Sequence, residues 1–211
     1  FLRSFTVEPI IPLLRAAAAV NGIDVTSWVG DFNTYQQEVI DPASRLYSFD
    51  PTVIVFAVSA RDIAPDLWDR FPELSPEQAE GAVQRVLGGY KSWIDAIRSR
   101  CKAHIIIHAL EVPETPSAGV FDAQDGKGQA ASIRRINDGL TEIAKSASGV
   151  YILDYDGLIS RHGRRAWHDE RKWQTMRMPI AAPCLIHLAN EWLRFLHPIT
   201  GKLAKCLVLD L

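Results

Sequence analysis

One stretch of the chain, residues 51–62 (PTVIVFAVSARD), constrains the fold more than any other. Apolar or small residues fill it as far as Ser59, and the run is rich in Val, Ile and Phe. It is too short for a free-standing helix, so it predicts a strand that is buried on both faces in the middle of a sheet. Polar residues follow at the carboxyl end of this strand, where open parallel sheets bind their ligands. We therefore expect a functional site near Ser59.

The composition of the 211 residues fits a single globular domain, with 47% hydrophobic and 23% charged residues. The net charge of -2 provides no general basic field, which argues against nucleic acid and anionic membranes as partners. No apolar run approaches the ~20 residues of a membrane-spanning helix. Three cysteines that lack metal-ligand spacing favour reduced thiols, so we expect a cytoplasmic protein.

The rest of the chain alternates strand patterns with helix patterns. We predict strands at residues 1–5, 23–29, 51–58, 103–110 and 150–153, separated by helices. Such alternation predicts an α/β fold, a three-layer α/β/α sandwich around a parallel five-stranded sheet. In a flavodoxin-type strand order, 2-1-3-4-5, the first and third strands are neighbours. Ser4 and residues 59–62 would then face one crevice.

Capping residues predict where the helices begin. Thr6 can cap a first helix that runs to about Val20. Ser75, followed by a proline and an acidic first turn, begins a long helix that reaches about Cys101. Three glycines inside this long helix argue against its continuity; they are Gly81, Gly88 and Gly89.

Ser-Phe-Thr at residues 4–6, Gly30 and Ser-Ala-Arg-Asp at residues 59–62 resemble the first three sequence blocks of the SGNH hydrolases. In that family a histidine activates a serine, and two backbone amides with an Asn side chain hold the oxyanion. Arg61 stands where that family has its Asn. The resemblance implies Ser4 as the nucleophile, and it implies oxyanion or substrate-binding roles for Gly30, Ser59, Arg61 and Asp62.

The fifth block of the SGNH family, Asp-x-x-His, corresponds to residues 165–168, which read Arg-Ala-Trp-His. The resemblance implies His168 as the base, with Asp169 beside it as a catalytic residue or a structural anchor. Arg165 replaces the expected Asp. If no base is present, Ser4 is a polar residue at a strand end or a helix cap.

Other polar residues have two readings each. Arg61 could bind a phosphate or carboxylate, oriented by Asp62, or the two could form a pair that ties the following loop to the sheet. His104 and His108 share one face of a strand, where packing or hydrogen bonding is expected more than metal binding. A basic cluster could meet an acidic carrier protein or remain solvated; it comprises Arg161, His162, Arg164 and Arg165.

A second resemblance covers nearly the whole chain. Residues 5–9 (FTVEP), 29–35 (VGDFNTY), 38–44 (EVIDPAS), 46–51 (LYSFDP) and 205–211 (KCLVLDL) are similar to FkbH-like proteins. These proteins join an N-terminal SGNH-like domain to a C-terminal haloacid-dehalogenase (HAD) phosphatase domain. The resemblance implies an SGNH-like domain at residues 1–200. It also implies a linker and first phosphatase strand at residues 201–211, with Asp210 at the nucleophile position.

The same resemblance implies a function for the parent protein. FkbH-like proteins are taken to load a glyceryl unit from 1,3-bisphosphoglycerate, a small phosphorylated three-carbon substrate, onto the phosphopantetheine arm of an acyl carrier protein for polyketide-type biosynthesis. The missing phosphatase domain would need Mg²⁺, whereas we expect no metal or cofactor within these 211 residues. The resemblance implies that the present domain is a scaffold and carrier-protein platform, with acyl-transfer chemistry at Ser4 as a further role. The alternatives are a self-sufficient SGNH esterase or acyltransferase and a non-catalytic interaction module.

Overall fold

A computed structural model describes residues 1–124 and 126–201, and within these ranges four parallel strands form one sheet in the order β1-β2-β3-β4. Leu2 lies opposite Phe56, and Ile54 lies opposite Ile105. The strands are β1 (Leu2–Arg3), β2 (Val53–Ala57), β3 (His104–His108) and β4 (Val150–Leu153).

Eleven α-helices and three short 3-10 helices connect and cover the strands in the described ranges. The 3-10 helices are Phe71–Glu73, Gly119–Ala123 and Ala182–Cys184. The α-helices are α1 (Ile10–Val20), α2 (Tyr35–Ile40), α3 (Arg45–Ser48), α4 (Ala60–Ile63), α5 (Pro65–Asp69), α6 (Pro76–Arg98), α7 (Gln129–Ser146), α8 (Tyr155–His162), α9 (Arg164–Trp167), α10 (Glu170–Met176) and α11 (Leu185–Ile199).

The sheet separates two hydrophobic cores, because successive side chains of a strand point to opposite faces. Ile54 and Phe56 of β2 pack on one side with α6 and α7. Val55 and Ala57 pack on the other side with α1 and α11. Both faces of β2 are therefore buried, and the three-layer α/β/α arrangement predicted from the pattern is formed.

The prediction of five strands in the order 2-1-3-4-5 is wrong for the described residues. The predicted second strand, residues 23–29, is not a strand, and the sheet order corresponds to predicted strands 1, 3, 4 and 5. The segment still lies beside β1, because Gly30 N donates to Phe1 O at 2.9 Å and Arg3 Nε donates to Gly30 O at 3.1 Å. Its contacts with β1 and Phe1 are single hydrogen bonds and not a continuous ladder, so the segment lies beside the sheet without joining it as a strand.

The first helix differs from its prediction in where it begins, and the long helix differs in its continuity. The first begins at Ile10, after Pro9, and Thr6 does not cap it; the Thr6 hydroxyl instead donates to Met176 O at 2.6 Å. The long helix α6 is continuous through its three glycines, and a capping box of Ser75 and Gln78 begins it as predicted. No helix in the described part of the chain has the length and hydrophobicity required to cross a membrane.

Candidate functional site

Ser4 and Ser59 follow the neighbouring strands β1 and β2, so their side chains meet at the carboxyl edge of the sheet. Both are buried, and Ser4 is 0% exposed. The Ser59 amide donates a hydrogen bond to Ser4 Oγ at 2.9 Å. The structure therefore brings together the two serines that the sequence placed in one crevice.

The backbone amides expected to hold an oxyanion already have partners. Ser4 N donates to Ala57 O at 3.1 Å, and Gly30 N donates to Phe1 O at 2.9 Å. An oxyanion hole requires donors that point at the developing charge and are free to bind it. These two amides are part of the hydrogen bonding along β1, so they do not form such a hole in this conformation.

Asp62 lies beside Ser4, one turn into α4. Burial raises the pKa of its carboxyl group, while the nearby Ser4 hydroxyl and the guanidinium groups of Arg177 and Arg61 act in the opposite direction. Its Oδ2 atom is buried and has no hydrogen-bond partner among the described residues. A buried carboxylate oxygen without a donor is unfavourable, which is in keeping with the raised pKa of Asp62.

Glu111 completes this buried group, and sequence reasoning missed it. The side chain is 5% exposed, and it accepts hydrogen bonds from Ser59 Oγ at 2.9 Å and Ala60 N at 3.1 Å. Burial raises the pKa of Glu111 to about 7. Its position was a usable signal, since it is the first charged residue after the buried strand β3, at the edge where Ser4 and Ser59 lie.

Arg61 pairs with Glu170 rather than with Asp62. Its two terminal nitrogens donate to the two Glu170 carboxylate oxygens at 3.2 and 3.1 Å. The guanidinium carbon also lies 5.4 Å from the ring centroid of Trp68 and 5.2 Å from that of Trp173. Arg61 thus lies between two indole rings and connects α10 to α4 through its ion pair with Glu170. Its guanidinium group is therefore not free to bind a ligand in this conformation.

His168 is not hydrogen-bonded to Ser4 in the part of the chain that the structure describes. It forms an isolated antiparallel bridge with Ile180. Burial lowers its pKa, and the positive charges of Arg61 and Arg164 lower it further. The nearest polar neighbours of the Ser4 hydroxyl are Ser59 N and Asp62, so the geometry does not form a serine–histidine pair.

Asp169 stabilises the chain around α10. Its Oδ1 atom accepts from Lys172 N at 3.1 Å, and its own backbone N donates to Pro179 O at 2.9 Å. This is a helix N-cap, in keeping with the structural reading of this residue.

Asp210, the predicted phosphatase nucleophile, lies outside the described residues. Within the described ranges, no group of three or more His, Cys, Asp or Glu side chains could hold a metal ion.

Fold and site together define a class of protein. A parallel sheet lies between two helical layers, and its carboxyl edge carries the buried Ser4, which in the described residues has neither free amide donors nor a hydrogen-bonded histidine beside it. The family model described as FkbH, N-terminal domain, matches residues 12–197. The chain therefore belongs to the FkbH N-terminal domain family.

A solved structure supports the same fold. The N-terminal part of the protein BF1531 from Bacteroides fragilis, a crystal structure containing a phosphatase domain complexed with Mg, superposes with a TM-score of 0.82 at 14% identity. The match covers 97% of the present chain and 52% of that chain, so the present chain spans about half of its length. At this identity the likeness concerns the fold alone. A comparison with curated proteins finds no match.

Proposed function

We propose that this domain is the non-hydrolytic half of an FkbH-like glyceryl-transfer protein. The parent protein takes a glyceryl unit from 1,3-bisphosphoglycerate, and its phosphatase domain, with Mg²⁺, removes the phosphate. The unit is loaded as a thioester on an acyl carrier protein of a polyketide-type pathway. The present domain is the scaffold and carrier-protein platform beside the phosphatase. The proposed location is the cytoplasm, in keeping with three cysteines that lack metal-ligand spacing.

One observation carries the non-hydrolytic assignment. Ser4 is fully buried, and the amides that would stabilise an oxyanion beside it donate to backbone carbonyls. Acyl transfer through a serine needs an exposed hydroxyl, a base within hydrogen-bond reach and free oxyanion donors. The crevice lacks this combination, so Ser4, Ser59, Asp62 and Glu111 are better explained as a polar network that joins the ends of β1, β2 and β3.

The test uses the full parent protein, a phosphopantetheinylated acyl carrier protein, 1,3-bisphosphoglycerate and Mg²⁺, with intact-mass spectrometry of the carrier. We expect the Ser4→Ala parent to load glyceryl at the rate of the unmodified parent. Ser132→Ala is the matched control, because Ser132 is an equally buried serine on α7 that donates to Gly128 O. The variant chains should be folded by circular dichroism before rates are compared.

Loss of loading in the Ser4→Ala parent, with the Ser132→Ala parent active, would overturn the platform assignment and make the crevice part of the transfer. Loading by the isolated domain would overturn the division of labour with the phosphatase. Hydrolysis of a simple ester by the isolated domain would favour the self-sufficient esterase instead.

A further inference from the structure

Positive charge is concentrated in one segment of the chain. Residues 157–178 contain six Arg and Lys side chains against two acidic ones, whereas the whole chain has a net charge of -2. This segment follows β4 and forms α8, α9 and α10. The segment after β4 is therefore locally basic on an otherwise acidic protein.

Some cations of this segment form hydrogen bonds and ion pairs inside the domain, whereas others face solvent. Arg164 donates to both carboxylate oxygens of Asp156, at 2.7 and 2.8 Å, and to Val112 O at 3.0 Å. It therefore holds the loop after β3 and is not available to a partner. We define the basic surface as five exposed residues: Arg161, Arg165, Arg171, Met176 and Arg177.

The arginines of the basic surface form either weak, exposed ion pairs or, within the described residues, none. Arg161 and Arg165 form ion pairs with Glu191 at 3.4 Å and Glu114 at 3.1 Å, but the arginine side chains are 51% and 91% exposed. Such exposed pairs contribute little and exchange readily for other partners. Arg171 and Arg177 form no ion pair within residues 1–124 and 126–201.

Arg177 is held in place before any partner binds. Its backbone lies in the left-handed region, with φ of 52°, which is unusual for a residue other than glycine. Thr6 N donates to Arg177 O at 2.8 Å, and the Thr6 hydroxyl donates to Met176 O, so β1 and this turn are joined. The guanidinium carbon lies 5.2 Å from the ring centroid of buried Trp173. This ordering lowers the entropy cost of using Arg177 in an interface.

We infer that the basic surface is the docking site for an acidic carrier domain, with Arg171 and Arg177 as its central contacts. This inference rests on the proposed function and names the surface through which the platform acts. Charge complementarity supports it, because Arg171 and Arg177 are exposed cations without an ion pair in the described ranges, and Met176, 51% exposed, adds an apolar contact; this combination suits an acidic helical partner. The positive charge of Arg177 also acts on Asp62 in the crevice, where it lowers the pKa of the carboxyl group against the effect of burial.

The experiment measures binding without any transfer chemistry. The present chain is titrated with a purified bacterial acyl carrier protein, in its apo form and its phosphopantetheinylated form, by fluorescence anisotropy at low and high salt. We expect binding that weakens as salt rises, and an Arg171→Glu/Arg177→Glu variant that binds at least about tenfold more weakly. The matched control is Lys91→Glu/Arg134→Glu, which reverses two exposed charges on α6 and α7.

The outcomes separate the inference from the proposed function. If the Arg171→Glu/Arg177→Glu variant binds as well as the unmodified chain, or if the control variant is weakened equally, the basic surface is not the docking site. The proposal of a platform elsewhere on the domain then survives. No binding by the unmodified chain overturns both the surface and the platform. Tighter binding of the phosphopantetheinylated form, lost in Arg177→Gln, supports the surface and adds the arm's phosphate as a contact of Arg177.

Discussion

At the scale of single residues, Glu111 is the most consequential side chain that the sequence did not reveal. Its carboxyl group holds the Ser59 hydroxyl and the Ala60 amide, and so joins the end of β3 to the beginning of α4. A carboxylate buried at this depth loses its hydration, and this loss raises its pKa to about 7. The crevice therefore contains a group that can carry a proton near neutral pH.

We predict that Glu111 makes the domain less stable as the pH rises. Its pKa is higher in the folded protein than its ordinary value of 4.5, so the folded state binds more protons than the unfolded state between about pH 4.5 and 7. The stabilisation is complete below this window and is lost through it, by on the order of 3 kcal/mol. Urea unfolding across this range should show a flatter pH profile for Glu111→Gln.

Glu114→Gln is the matched control for this measurement, because Glu114 lies in the same loop with a 42% exposed side chain. It should leave the pH profile of the unfolding free energy close to that of the unmodified chain. A difference between Glu111→Gln and the unmodified chain that stays constant with pH would show that Glu111 is ionised throughout.

At the scale of secondary-structure elements, the glycines of α6 and α7 have different surroundings: one is in open space, and another is closely packed against the neighbouring helix. A Cβ atom added at Gly88 would meet nothing within 4 Å, whereas one added at Gly139 would lie 2.5 Å from Leu87 Cδ1. Gly139 is therefore where α7 approaches α6 closely. Gly88 has no comparable packing role, although α6 continues through it.

We predict opposite effects for the same substitution at these two positions. Gly88→Ala should raise the free energy of unfolding by about 1 kcal/mol, because alanine loses less backbone entropy in a helix. Gly139→Ala should lower it by roughly 1–2 kcal/mol, since displacing Leu87 outweighs that gain. Urea denaturation of both variants checks this. Equal stabilisation by both would mean that α6 and α7 move apart at no cost.

At the scale of the whole molecule, acid stability depends on a histidine at the centre of one core. His108 is 0% exposed, and its Nε2 atom accepts a hydrogen bond from Trp192 Nε1 at 2.8 Å. Burial lowers the pKa of His108 to about 3, so the ring stays neutral in the folded state. The hydrogen bond joins β3 to α11, the sheet to one of its covering layers.

We predict that His108 contributes to unfolding of the domain in acid. Its folded pKa is below the ordinary value of 6.5, so the unfolded state binds more protons between about pH 3 and 6.5, and stability falls as the pH falls through this window. His108→Gln, whose amide oxygen can still accept from Trp192, should have a flatter acid limb in thermal unfolding. An acid limb identical to that of the unmodified chain, with His104→Gln as control, would contradict this.

Several features of the fold and of the site were predicted correctly from the sequence. The alternation of strands and helices, the buried centre of β2 and the position of Ser4 beside residues 59–62 all followed from apolar periodicity and chain order. Burial of apolar surface is the dominant favourable term and leaves a local pattern, so it can be recognised within ten or twenty residues. The FkbH family resemblance was confirmed by the family model over residues 12–197.

Only the tertiary structure decided which polar groups meet. Arg61 pairs with Glu170, 109 residues away, and the Thr6 hydroxyl reaches Met176 across 170 residues. The segment at residues 23–29 also lies beside β1 without forming a strand, although its own pattern was suitable. Hydrogen bonds and ion pairs depend on separations of a few ångströms between distant parts of the chain. The sequence alone therefore determined the layers of this protein, and three-dimensional packing determined the chemistry between them.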